Sequence, residues 1–117
     1  MPVGPATRIF LAAGATDLRK RFEGLRDLVR HRFQEDPLSG HLFVFANRHR
    51  TRLKVLYWDG SGLWVCAKRL QQGCFSWPAT ATEETGALRI VAEELTLLLS
   101  GIDLDKTRAR QWWPKAA

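Results

Sequence analysis

Nine basic residues and one tryptophan carry the chemistry that stands out in this 117-residue chain: Arg19, Lys20, Arg26, Arg48, Arg50, Arg52, Lys54, Lys68 and Arg69, with Trp58. Lys and Arg neutralise phosphates, and an indole stacks on a nucleobase. These types, gathered in one stretch, point to a polyanion, with nucleic acid first. Trp112 and Trp113 form a second aromatic group, in a tail that also holds Lys106, Arg108, Arg110 and Lys115. Adjacent indoles suit three uses: folding back over a core, anchoring a partner, or stacking on bases.

Other chemistries lack their residues. Ser39, Ser61, Ser76 and Ser100 sit in no nucleophile elbow. Asp59-Gly60-Ser61-Gly62 reads as a turn and lacks the Lys of a phosphate loop. Asp17, Asp59 and Asp103 each have a cap, turn or loop explanation, whereas two-metal chemistry needs carboxylates that converge. Cys66 and Cys74, with His31, His41 and His49, match no zinc spacing. The sequence therefore predicts no catalytic residue, no metal and no cofactor.

The formal charge is +6, and it is uneven. Residues 1–82 hold 13 Lys and Arg against 6 Asp and Glu, and residues 83–117 hold 5 against 6. The length fits one domain, 1–117, with 104–117 an irregular basic tail. Apolar residues make up 45%, enough for a packed core. No apolar run approaches the roughly 20 residues of a membrane span. The start, Met1 to Pro5, lacks the pattern of a signal peptide. The expectation is a cytoplasmic protein with reduced thiols and no membrane partner.

These residues need elements to position them. Thr7–Ala13 reads as a strand ended by Gly14. Thr16 reads as the N-cap of a long helix that runs to about Glu35 and stops before Pro37. Leu18, Phe22, Leu25, Val29 and Phe33 fall on one stripe about 80° wide. Arg19, Arg26 and Arg30 border it on one side, Arg21 and Arg32 on the other. Such Arg residues suit a phosphate backbone, or local pairs such as Arg19 with Glu23 and Asp27 with Arg30 or His31. His41–Ala46 reads as a strand, and Arg52–Trp58 and Leu63–Leu70 as a hairpin around Asp59–Gly62. Leu88–Leu99 reads as a second helix, ended by Ser100-Gly101.

The hairpin carries a parity argument. With a two- or four-residue loop, opposed positions sum to an odd number, so even positions of one strand share a face with odd positions of the other. Leu53, Val55, Tyr57, Trp64, Cys66 and Lys68 then share a core face. Arg52, Lys54, Leu56, Trp58, Leu63, Val65, Ala67 and Arg69 share the other. That second face is either an open basic and aromatic binding surface, or Leu56, Trp58 and Val65 pack under the first helix with Arg52 and Lys54 at the rim.

Several segments resemble a known family. Thr16-Asp17-Leu18-Arg19-Lys20 with Phe22-Glu23-Gly24-Leu25, Ser39 to Phe45, Arg52 to Gly60 and on through Gly62 to Lys68-Arg69-Leu70, then Gly73, Phe75, Trp77 and Pro78, and Leu98 to Asp103, resemble in order the accessory protein family encoded by the second open reading frame of insertion sequence 66 elements, usually called TnpB. Arg21 stands where that family commonly has Gly, and Cys74 where it commonly has a basic residue. The resemblance implies a bacterial transposon protein that works with the transposase and other products of its element. Strand transfer in that family is attributed to the separate, larger transposase.

The expected fold is α+β: a mainly antiparallel sheet of four or five strands with a central hairpin, a long N-terminal helix packed on it, and a shorter C-terminal helix closing an edge. The expected function is a non-catalytic accessory factor that binds element DNA or the transposition complex through the basic residues and Trp58. The alternative is a protein–protein adaptor for the transposase, anchored by Trp58 or by Trp112 and Trp113.

Overall fold

A computed structural model describes residue 4, residues 6–77 and residues 87–101 of the chain. Five strands form one sheet: β1 (Ile9–Ala12), β2 (Leu42–Ala46), β3 (Arg52–Trp58), β4 (Leu63–Arg69) and β5 (Ala87–Ile90). Their spatial order is β4-β3-β2-β1-β5. The helices are α1 (Phe22–Leu28), continued by a wider π-helical turn over Val29–Phe33, and α2 (Ala92–Leu99). None of the described helices is long and apolar enough to cross a membrane.

The α+β class is as expected, but four features of the sequence reading need correction. First, the sheet is mixed, because β1 pairs with β2 in parallel. The long connection over residues 13–41, with a helix inside it, is what a parallel crossover requires. Second, the hairpin β3–β4 lies at an edge of the sheet, with β1 and β2 nearer its centre. β1 and β2 are buried at every position, and their unbroken apolar runs reflect cover on both faces. Third, residues 88–90 belong to a strand and not to the second helix. Ile90, Arg89, Leu88 and Ala87 pair with Ile9 to Ala12 and satisfy the open side of β1. β5 thus closes the edge, while Leu95 and Leu98 of α2 cover a face.

Fourth, the N-terminal helix spans only 12 residues, Phe22 to Phe33. Thr16 is not its N-cap; the N-cap is Arg21, without a side-chain cap bond. Residues 16–20 are held elsewhere. The Thr16 N–H donates to the Ala46 carbonyl at 2.8 Å. Asp17 Oδ1 accepts the Arg19 N–H at 3.0 Å. The Lys54 ammonium donates to the Leu18 and Lys20 carbonyls at 2.7 and 3.2 Å. A helix begun at residue 17 would have used those two oxygens for its own turns. The late start leaves Phe22 49% exposed, while Leu25, Val29 and Phe33 stay buried.

The sheet separates two apolar layers. On the α2 side Ile9, Leu11, Leu42, Val44, Leu53 and Val55 meet Phe75, Leu95 and Leu98. On the α1 side Phe10, Phe43, Phe45 and Leu56 meet Leu25, Val29 and Phe33. Phe10 stacks on Phe43 at 5.4 Å and Phe33 on Phe45 at 5.5 Å. The hairpin register runs from Arg52 opposite Arg69 to Trp58 opposite Leu63, so the parity argument holds. Leu56 is fully buried under α1, with Leu63 and Val65 packed against the same layer. The open-face reading of the hairpin therefore fails at its middle.

The hairpin tip is tied by one carboxylate. Asp59 Oδ1 accepts from the Ser61 N–H at 2.8 Å, the Gly62 N–H at 2.9 Å and the Ser61 hydroxyl at 3.0 Å. Asp59 Oδ2 accepts from the Trp64 indole N–H at 2.7 Å. These bonds, the indole's first, hold the Asp59 carboxyl well below the usual carboxylate range.

Two outcomes follow from this packing. Leu56→Ala lowers unfolding free energy by about 2–5 kcal/mol in denaturant titrations; a loss under about 1 kcal/mol would mean that α1 does not cover the hairpin. The Asp59 carboxyl is depressed on folding, so its contribution is complete above its unfolded value near 4 and fades as pH falls below it. Thermal melts recorded between pH 7 and pH 2 thus show a drop below about pH 4 that is smaller in Asp59→Asn.

A cationic groove as candidate nucleic-acid interface

An open groove of about 690 Å³ lies at the end of the hairpin away from its turn. The loop Thr16–Arg19 forms one wall, the start of β3 and the end of β4 form the other, and Asn47 stands at the end of β2. It is built where three chain segments meet. Asn47 shapes the entry to β3: its Oδ1 accepts the Thr51 and Arg52 N–H groups, both at 3.0 Å. Arg50 there takes φ 57, stabilised by this side-chain turn and by the Phe75 N–H on the Arg50 carbonyl at 2.6 Å.

Arg52 and Arg69 sit directly opposite each other in the register. Bonds from Leu70 N–H to Thr51 O and from Asp59 N–H to Gly62 O fix which pairs are hydrogen-bonded. By alternation 52/69 is a non-hydrogen-bonded pair, the kind whose side chains stand closest. Two like charges there repel. Both are exposed, and neither makes an ion pair with a described residue. Lys54 adds a third cation to the same face, half-buried and tied to the 16–20 loop.

Arg19 also lines the groove, but its charge is already matched. Its Nε and Nη2 fork onto the Asp17 carboxylate, at 3.0 and 2.8 Å. The side-chain hydrogen bond from Arg19 pushes the Asp17 carboxyl down to about 2, so the pair stays ionised near neutral pH. The pairs expected within the helix, Arg19 with Glu23 and Asp27 with Arg30 or His31, are replaced by Arg19 with Asp17 and Arg26 with Asp27.

Thr16 is the residue whose role the sequence reading missed. It is 6% exposed, lines the groove, and its Oγ1 is buried without a hydrogen-bond partner. A buried hydroxyl left unsatisfied costs about 1–3 kcal/mol. A Thr before a helical stripe reads as a cap, and only the tertiary bond to Ala46 reveals otherwise.

The other predicted residues are dispersed. Lys68 borders the groove, but its ammonium crosses to the other face and donates to the Leu99 carbonyl at 2.7 Å, at the negative end of α2. The Arg50 guanidinium stacks 4.8 Å from the Trp77 ring, and burial pushes its pKa down. Trp77 in turn donates to the Ala12 carbonyl at 2.8 Å, so Arg50 serves the fold. Lys20 and Arg48 are exposed, and Arg26 is half-buried; none of the three lines the groove. Trp58 is half-buried, six residues along β3 from Arg52 and so about 20 Å away, beyond the part covered by α1. Trp112 and Trp113 lie outside the described residues. The exposed indole is Trp64, at 51%, stacked on Tyr57 at 6.1 Å and oriented by Asp59.

Cys66 and Cys74 are free thiols. Among the described residues, no three His, Cys, Asp or Glu side chains converge as metal ligands.

The model of the family described as "IS66 Orf2 like protein" matches residues 7–109. Two curated relatives come from Sinorhizobium fredii (strain NBRC 101917 / NGR234). "Uncharacterized protein y4hO" is 42% identical over 103 residues, covering 88% of this chain and 87% of that protein. "Uncharacterized protein y4jC" is 36% identical over 110 residues, covering 92% of each. No solved structure matches the chain. With the family pattern running through nearly every described element, the chain belongs to the IS66 Orf2-like family, the TnpB proteins of insertion sequences.

Proposed function

We propose that this protein is a non-catalytic accessory factor of insertion-sequence transposition that holds element DNA by its phosphate backbone in the cationic groove. The observation that carries this reading is the Arg52–Arg69 pair. Folding places two cations side by side with no described carboxylate between them. A phosphate between them relieves the repulsion and gains charge-assisted hydrogen bonds from both guanidinia. Lys54 and Thr16 stand on the same groove. Family membership supplies the process, and the bacterial cytoplasm is the compartment where element DNA, the transposase and this factor meet.

A protein–protein adaptor is the second reading, and Trp64 favours it. Its ring is half exposed yet fixed by Asp59 and Tyr57, so an incoming partner would find it already ordered. The two sites lie at opposite ends of the hairpin, so they separate by mutation.

Fluorescence anisotropy with labelled DNA tests the first reading. Affinity falls steeply from low to moderate salt, and the double variant Arg52→Gln/Arg69→Gln weakens binding and reduces the log–log salt slope by about 1.4–1.8. Arg89→Gln on β5 leaves both unchanged. Trp64→Ala keeps DNA binding and, on the adaptor reading, loses the transposase. Absence of DNA binding at low salt, with or without transposase, overturns the nucleic-acid reading.

A further inference from the structure

We infer that the groove takes a single nucleic-acid strand, with one phosphate seated on Arg52, Arg69 and the Thr16 hydroxyl, in preference to a duplex. This rests on the phosphate-binding reading above and narrows its ligand.

Two independent observations carry it. One is shape. The cations line a recess between the 16–19 loop and the β3–β4 wall, a volume of about 690 Å³. That is the size of a site that encloses a small ligand, about 300–1,000 Å³. Duplex readers do the reverse: they push a helix or a two-stranded ribbon into a groove of the DNA. Here α1 lies on the sheet and its buried side faces the phenylalanine layer. The β3–β4 ribbon is likewise covered through its middle by α1. A duplex offers its phosphates on a stiff convex surface, which meets the rim of a recess. A flexible single strand can lower one phosphodiester into it.

The other observation is the orphan hydroxyl. Thr16 is held rigidly by its N–H bond to Ala46, lines the groove, and has no partner for Oγ1. Thr has alternative staggered rotamers, so a rotation about χ1 redirects the hydroxyl without moving the backbone. An oxyanion that sheds its water between Arg52 and Arg69 needs neutral donors as well as charge. Thr16 can supply one. Asp17, on the same wall, does not compete for Arg52 or Arg69, because its carboxylate is engaged by Arg19.

The full-length protein is titrated with a labelled oligonucleotide as a single strand and as the duplex of the same sequence, at matched salt. The single strand binds more tightly. Thr16→Val, which keeps the shape and removes the hydroxyl, weakens single-strand binding about tenfold and leaves the salt slope unchanged, because the lost group is neutral. Its melting temperature stays level or rises, since an unsatisfied buried hydroxyl has gone. Thr16→Ser retains affinity. A duplex bound as tightly as the strand, or more so, overturns the inference and leaves the broader phosphate reading standing. Wild-type affinity in Thr16→Val removes Thr16 from the site. Failure of both nucleic acids to bind at low salt removes inference and proposed function together. The strand-against-duplex comparison needs only the unmodified chain, so it decides even where a variant misfolds.

Discussion

The Lys54 ammonium is the interaction on which the functional end of the molecule depends. From the middle of a sheet face it reaches the carbonyls of Leu18 and Lys20 and fixes a loop that would otherwise wind into helix. Three consequences follow. α1 starts late, at Phe22. Thr16 stays beside the end of β2, bonded through its backbone and not through its side chain. The loop stands off from the hairpin far enough to leave a groove. A hydrogen bond from a charged donor is worth about 1.5–3 kcal/mol, comparable to the cost of leaving one buried hydroxyl unsatisfied. The clamp can therefore hold Thr16 in a position that its own hydroxyl does not favour.

Much of this was legible in the sequence, and the limits have physical causes. The hairpin register followed from parity, because the side-chain period of a strand is two and the turn was readable from Asp59-Gly60-Ser61-Gly62. The apolar stripe of α1 was readable at Leu25, Val29 and Phe33. Its start was not, because the bond that delays it comes from residue 54, far along the chain. Likewise, Leu88 and Ile90 fit a helical stripe as well as an alternating strand; the open edge of β1 decided between them. Parallel pairing of β1 and β2 was implicit in a helix-bearing connection but was outweighed by the visible hairpin.

At the site, residue types were legible and geometry was not. The sequence shows many cations but not which of them the fold engages. Lys68 sits on an α2 carbonyl, Arg50 on an indole and Arg19 on Asp17. The choice of Trp58 as the aromatic contact followed from its place on the basic face. Yet that face is interrupted by α1, and the indole left in solvent is Trp64, on the face assigned to the core. The core face was assigned correctly, but its cover does not reach Trp64 at the turn end of β4.

A sheet packed on both faces leaves function only its ends and edges. Segments that are far apart in the chain, residues 16–19, 52–54 and 67–69, meet at one such end. The formal +6 is thereby reduced to something more specific than a charged surface. Cations engaged in carbonyls, carboxylates or rings hold the fold, and those that remain opposed are the ones an anion would bridge. Arg52 and Arg69 could be separated by a one-residue slip of the strands, but that slip would turn Leu53, Val55 and Tyr57 out of the core. Burial of those three side chains therefore enforces the repulsion between the two arginines. The core fixes the register, and the register sets the two charges side by side at the mouth of the groove.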